Sequence, residues 1–161
     1  MHTKEEFFQN IKENEGIIYK VARLYADSAE DQKDVYQEIV YQLWKSYPSF
    51  KKNSKISTWM YRVALNTAIS NLKKEKRKGI QVPIDNSLLN RMAEIDTVME
   101  ERITLLYAHI KKLSIVENGI ILLHLEGKNY DEIAAITGFT STNIGTRLTR
   151  IKNKLKSQIK K

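Results

Sequence analysis

DQKDVYQEIVYQLWKSYPSFKKNSKISTWMYRVALNTAISNLKKEKRK, residues 31–78, is the stretch on which the reading of this chain turns. It opens as an acidic amphipathic helix, passes through a loop rich in aromatic residues and lysine, and closes as a basic helix. From Lys51 to Lys78 there are nine Lys/Arg and one Glu, a local charge of +8 that equals the formal net charge of the whole chain. Positive charge therefore stands beside aromatic rings. A grip on unpaired nucleic acid needs this combination, because cations follow phosphates while rings stack on bases.

Outward from this stretch the charge changes sign. Residues 1–50 carry six basic and nine acidic groups, residues 79–127 four and seven, and residues 128–161 eight and two. Two basic blocks set between acidic ones point to two separate polyanion contacts rather than one diffuse patch. The pI near 9.5 fits such a partner. A hydrophobic fraction of 42% argues against disorder, and 161 residues suffice for one domain or two small ones. With no cysteine there is no disulfide framework, thiol nucleophile or zinc-finger ligand set. No apolar run reaches the roughly 20 residues of a membrane span, and MHTKEEFF lacks a signal-peptide core, so a cytoplasmic location without membrane insertion is expected.

Six Gly and two Pro punctuate a pattern that is helical almost throughout. Helices are expected near 3–26, 30–47, 57–77, 94–112, 115–126, 130–137 and 141–158, with Pro48 closing the second. The expected fold is all-α: two small helical domains joined by a linker, the C-terminal one a helix-turn-helix. Their bounds are residues 1–78, a linker at 79–93 around Pro83, and residues 94–161.

On a wheel of 100° per residue, Met60, Ala64, Leu65, Ala68 and Leu72 share the apolar side of the basic helix, and Trp59, Arg62, Asn66, Ser70 and Lys73 share the other. Stacking on an unpaired base with phosphate neutralisation would use that second face, while a partly buried Trp59 capping the small core fits helical spacing equally. The preceding helix is its electrostatic opposite. Val35, Tyr36, Ile39, Val40, Leu43 and Tyr47 are expected inward. Asp31, Asp34, Glu38 and Gln42 are expected outside, with Gln37, Tyr41 and Trp44 on the flank. Such a face either docks on a basic protein surface or is simply solvated, and an exposed Trp44 would favour docking.

GKNYDEIAAITGFTSTNIGTRLTRIKNKL, residues 127–155, has the layout of a helix-turn-helix. Asn129 caps the first helix with Glu132 three residues on. Ile133, Ala134 and Ile136 face inward, Gly138 takes the positive φ of the turn, and Phe139 is expected to plug the core. Thr140 caps the second helix, whose Ile144, Leu148 and Ile151 recur at core spacing. Ser141, Thr142, Asn143, Thr146, Arg147 and Arg150 are left outward, where N-terminal polar residues reach base edges and cations hold phosphates. Gly145 inside the helix costs about 1 kcal/mol relative to alanine. It either lets a DNA backbone approach or is tolerated.

Three motifs, in order, carry a resemblance. They are D-x-x-Q-E at Asp34–Glu38, S-T-W-x-Y-R-x-A-x-N at Ser57–Asn66, and E-G-x-x-Y-x-E-I-A at Glu126–Ala134. Together they resemble a bacterial RNA polymerase sigma factor of the extracytoplasmic-function group, over nearly the whole chain. The resemblance implies sigma domains 2 and 4 alone. It implies docking of Asp34, Gln37, Glu38, Tyr41 and Trp44 on the β′ clamp helices of core RNA polymerase, with the β flap as a further contact. It assigns capture of a flipped base of the −10 element to the Phe50–Ser57 loop, with Phe50, Lys51, Lys52, Asn53, Ser54 and Lys55. It gives Trp59, Arg62, Asn66 and Lys73 the melted strand. Duplex at the −35 element falls to Thr140, Ser141, Thr142, Asn143, Thr146, Arg147 and Arg150. An anti-sigma partner and a linker running toward the RNA exit path are also implied, with the protein nucleoid-associated in holoenzyme.

The chain departs from the usual pattern at Leu113-Ser114-Ile115-Val116, where a proline and an arginine commonly follow the leucine. It also carries Asn143 and Gly145 where many relatives have threonine and lysine, and its 51–55 loop, KKNSK, is less acidic than usual. An enzyme is not expected. His2, His109 and His124 lack companions at metal-ligand spacing, no phosphate-binding glycine loop is present, and no catalytic residue, cofactor or metal is assigned. The rival is a helix-turn-helix regulator that binds duplex DNA without polymerase, which leaves the Trp59 and Asp34 faces without tasks.

Overall fold

Side-chain oxygens start the helices. Thr3 Oγ1 accepts from the Glu6 amide at 3.1 Å and Ser28 Oγ from the Asp31 amide at 2.9 Å. Ser114 with Glu117, and Asn129 with Glu132, form reciprocal capping boxes in which each side chain accepts from the other's backbone N–H. Each cap satisfies amides that the first helical turn leaves without partners. The computed structural model describes residues 3–51, 55–77 and 98–159, with backbone only at 73–77 and 98–99. Over that range α1 is Lys4–Glu13, α2 Glu15–Tyr25, α3 Ala29–Ser46 and α4 Ile56–Arg77. They are followed by α5 Val98–Lys111, α6 Ile115–Leu125, α7 Tyr130–Thr137 and α8 Ser141–Ile159. No strand occurs among the described residues, so the all-α expectation stands.

The chain divides into two units, Met1–Met92 and Ala93–Lys161. In the first, α2, α3 and α4 pack on one another. Ile18, Val21, Ile39, Leu43, Met60, Ala64 and Ala68 fill the space between them. Each of the larger of these side chains contributes roughly 1.5–3 kcal/mol on leaving water and the alanines less, so this small bundle rests on a handful of residues. α1 is joined by Phe7, wholly inside, and by Asn10 Nδ2, which donates to the Tyr47 hydroxyl at 3.0 Å. In the second unit α8 packs against α5, α6 and α7. Ile144, Leu148, Ile151 and Leu155 meet Ile120, Leu123 and Ile133 there.

Two expectations change and one is refined. The single helix at 3–26 is two helices. Asn14 sits at φ −117°, ψ 21°, outside helical geometry, with its side-chain amide at 2.9 Å and its backbone N–H at 3.1 Å both donating to the Asn10 carbonyl. Pro48 closes α3 as expected, within a short 3₁₀ turn, Tyr47–Ser49, that follows Ser46 and that proline tolerates near its start. Tyr36, Val40 and Leu72 are half-buried rather than inside, as is Ala134. Tyr36 is drawn to the rim because its hydroxyl donates to Glu15 at 3.3 Å and its ring meets Tyr19.

Candidate nucleic-acid interface

α3 presents Asp34, Gln37, Tyr41 and Trp44 to solvent, spaced three, seven and ten residues along one helical face. Glu38 is half-buried and accepts from Gln42 Nε2 at 3.2 Å. Trp44 is 46% exposed and Tyr41 56%, a large open aromatic area for a small unit. Trp44 is nevertheless fixed. Phe7 meets it edge-on with 5.0 Å between centroids, and Phe8 lies nearly parallel to it at 6.5 Å. Phe8 is itself 55% exposed and lengthens the aromatic ledge onto α1. The Phe7-Phe8 doublet was the available signal for this. Adjacent residues on a helix point about 100° apart, so one ring goes inward and the other across the surface.

At the other end of α3 the chain turns through Tyr47 and Phe50 into α4. Phe50 is buried, and Trp59 stacks on it with centroids 5.0 Å apart and 14° between planes. The packing expectation for Trp59 holds: one face covers the core, while the ring remains half-exposed beside Arg62, Asn66 and Ser70, all exposed. Lys51 and Lys55 are exposed at the loop ends. Lys52, Asn53, Ser54, the Lys73 side chain and the 79–93 linker lie outside the described residues.

In the second unit Gly138 takes φ 89°, ψ 1°, and its N–H reaches the Ala134 carbonyl at 2.8 Å. A left-handed residue here turns the chain from α7 into α8, and glycine takes it without strain. Thr140 Oγ1 accepts from the Asn143 amide at 3.1 Å, capping α8 as expected. Thr142, Asn143, Thr146 and Arg150 are exposed, whereas Ser141 and Arg147 are half-buried. The Ser141 hydroxyl donates to the Asp131 carboxylate, which ties the start of α8 to α7. Phe139 is not a core plug. It is half-exposed, and the Arg147 guanidinium lies over its ring at 4.3 Å. Gly145 has a third explanation: an added Cβ would stand 3.3 Å from the Tyr130 ring, so the missing side chain makes room for that aromatic.

Electrostatics support α8 from behind. Lys154 Nζ donates to Glu117 at 2.7 Å. That hydrogen bond is the main reason the Glu117 carboxyl is held below its ordinary range, helped by Ser114 and opposed by burial. Burial, and secondarily Lys152, lowers His124. Among the described residues no group of three or more His, Cys, Asp or Glu is placed to hold a metal ion. Nor is any helix there long and apolar enough to cross a membrane.

The order of these elements matches known protein families. The model for Sigma-70 region 2 covers residues 11–78, and that for Sigma-70, region 4 covers residues 104–155. The chain belongs to the sigma-70 family. Within it the extracytoplasmic-function group provides the relatives. The chain is 28% identical to RNA polymerase sigma factor SigV of Bacillus subtilis, across 99% of this chain and 94% of that one. It is also 28% identical to the ECF RNA polymerase sigma-E factor of Escherichia coli K12, across 88% and 81% respectively. The fold is shared with CnrH, solved in complex with the cytosolic domain of CnrY (TM-score 0.72, 17% identity, 98% of this chain and 90% of that one). It is shared too with the sigma factor RpoE of Bartonella quintana, solved with the anti-sigma factor NepR (TM-score 0.76, 19% identity, 97% and 98%). The sigma-factor reading, with core RNA polymerase and promoter DNA as partners, therefore stands over the polymerase-independent regulator. Ser114 also accounts for the departure at the start of region 4: in place of the usual proline it caps α6.

Proposed function

We propose that this sigma factor divides promoter recognition between its two units as follows. Residues 1–78 dock on the β′ clamp helices through Asp34, Gln37, Glu38, Tyr41 and Trp44. The same unit holds the melted −10 strand with the Phe50–Ser57 segment, which runs from the loop into the start of α4, and with Trp59, Arg62, Asn66 and Lys73. Residues 94–161 read −35 duplex through Thr140, Ser141, Thr142, Asn143, Thr146, Arg147 and Arg150, and contact the β flap. Residues 79–93 connect them.

The observation that carries this reading is the coexistence, on one small helical unit, of an exposed acidic-aromatic face and a half-exposed Trp59 flanked by Arg62 and Asn66. Flipping a base out of the stack costs a few kcal/mol. Stacking on an aromatic ring returns about 1–3 kcal/mol per base, and cations on the strand add to it. Melting then draws on binding free energy, and the chain contributes contacts rather than bond chemistry. A cytoplasmic site of action follows from the partners. CnrH and RpoE were each solved with a second protein, an anti-sigma factor in the case of RpoE, and we extend such a partner to this chain.

The test is run-off transcription from a pool of genomic fragments with purified core polymerase, with and without the protein. Discrete new starts sharing −10 and −35 elements are expected. An unchanged transcript set together with no binding to core polymerase would overturn the assignment.

A further inference from the structure

Arg147 is already held in place without DNA. Its Nε donates to Asn143 Oδ1 at 2.6 Å, one turn earlier on α8. Its guanidinium carbon lies 4.3 Å from the centroid of the Phe139 ring. Both anchors stand on defined backbone. Asn143 is tied by its own amide to Thr140, and Phe139 follows the left-handed Gly138. An arginine on an exposed helical surface ordinarily keeps several torsions free, and ordering them is a cost of binding. Here one contact fixes an edge of the guanidinium and another covers one of its faces. The two Nη amino groups, with four N–H donors, have no partner among the described residues.

From this geometry we propose that Phe139 is a positioning residue for DNA readout. With Asn143 it holds Arg147 so that the Nη fork is presented, preset, to a pair of acceptors on promoter duplex. The fork matches either the O6 and N7 of guanine or two phosphate oxygens. The inference rests on the reading of α8 as the −35 reader. It assigns Phe139, expected in the core, to the DNA-facing side of the turn. Preordering one rotamer-rich side chain corresponds to roughly 2- to 10-fold in affinity.

The experiment uses holoenzyme reconstituted from core polymerase and the full chain, bound to duplexes randomised across the upstream element. Phe139→Leu keeps apolar volume and removes the ring. It is expected to weaken binding by roughly 2- to 10-fold. It should also reproduce, in reduced form, whichever signature Arg147→Ala gives: a lost preference at one base position for a guanine contact, or a salt slope lower by about 1 for a phosphate contact. Phe139→Tyr restores the ring and should restore binding. In an Arg147→Ala background, Phe139→Leu should have no further effect. The positioning role is overturned if the Phe139→Leu loss persists undiminished in that background, or if Phe139→Leu binds as tightly and selectively as the parent while Arg147→Ala does not. Unchanged binding and selectivity in Arg147→Ala itself would overturn the placement of Arg147 on DNA, and the positioning role with it.

Discussion

The rings of Phe50 and Trp59 lie parallel, 5.0 Å between centroids and 14° between planes, where the loop after α3 enters α4. Phe50 is buried, so it acts as a floor that holds Trp59 flat, and only the ring's remaining surface is open to a base. Trp59→Ala is therefore expected to reduce open complexes by roughly 5- to 100-fold, the worth of one base–aromatic stack. Trp59→Phe should retain most of the function. Permanganate reactivity of unpaired thymines at the −10 element measures it. Parent-level opening by Trp59→Ala would leave the tryptophan a packing residue only.

Tyr41 and Trp44 share the exposed face of α3 but differ in support. Trp44 rests on Phe7 and Phe8, whereas Tyr41 has no ring or hydrogen-bond partner among the described residues. Tyr41→Ala is expected to weaken core-polymerase binding by at least 10-fold with an unchanged melting temperature. Trp44→Ala should lower both, since it also uncovers Phe7. Phe8→Ala should weaken binding without unfolding the unit, because its ring is more than half exposed. Titration of labelled core polymerase, with thermal melts alongside, separates these outcomes.

Gly145 lies inside α8, and the space where its side chain would stand is bounded by the Tyr130 ring. Alanine in a helix interior is favoured over glycine by about 1 kcal/mol. The neighbour to be displaced is the half-exposed side chain of Tyr130, which has room to swing. Gly145→Ala is thus expected to raise the melting temperature of residues 93–161 by a few degrees. A fall instead would mean that Tyr130 is held in place and that its position matters to the unit.

Acid should weaken the C-terminal unit in two steps. His124 has a lowered pKa through burial and Lys152, so the unfolded chain binds its proton first. Stability present above about 6.5 declines as pH falls below that value. Glu117 is lowered chiefly by the Lys154 hydrogen bond, so its contribution is present above the ordinary value of 4.5 and is lost as pH falls through the folded pKa. His124→Asn should flatten the first step and Glu117→Gln the second, in urea melts taken from pH 7 to pH 3. Unaltered pH slopes would detach both groups from the stability of the unit.

Short-range physics was legible in the residues alone. Caps at Asn129 and Thr140, the left-handed Gly138, and the spacing of Ile144, Leu148 and Ile151 each involve residues within about two helical turns. Their outcome hardly depends on the rest of the fold, so the helix-turn-helix came out nearly residue for residue. The opposite faces of α3 and α4 came out in outline only: Tyr36, Val40 and Leu72, expected inside, and Asp31, Glu38 and Gln42, expected outside, are all half-buried, because residues at the edge of a face are placed by neighbouring helices.

Only the tertiary structure decided which rings and cations meet. Phe7 reaches Trp44, and Lys154 reaches Glu117, each across 37 positions of chain. Tyr130 fills the gap left by Gly145, and Arg147 covers Phe139 across the turn. Asn14 ends α1 with both its backbone and its side-chain N–H on the Asn10 carbonyl, a local break that helical periodicity does not register. Periodicity states which face of a helix turns inward. Which side chain lies across the boundary is set by the packing of helices far apart in sequence, and that packing placed Trp44, Trp59 and Arg147, each half-open to solvent and held from one side.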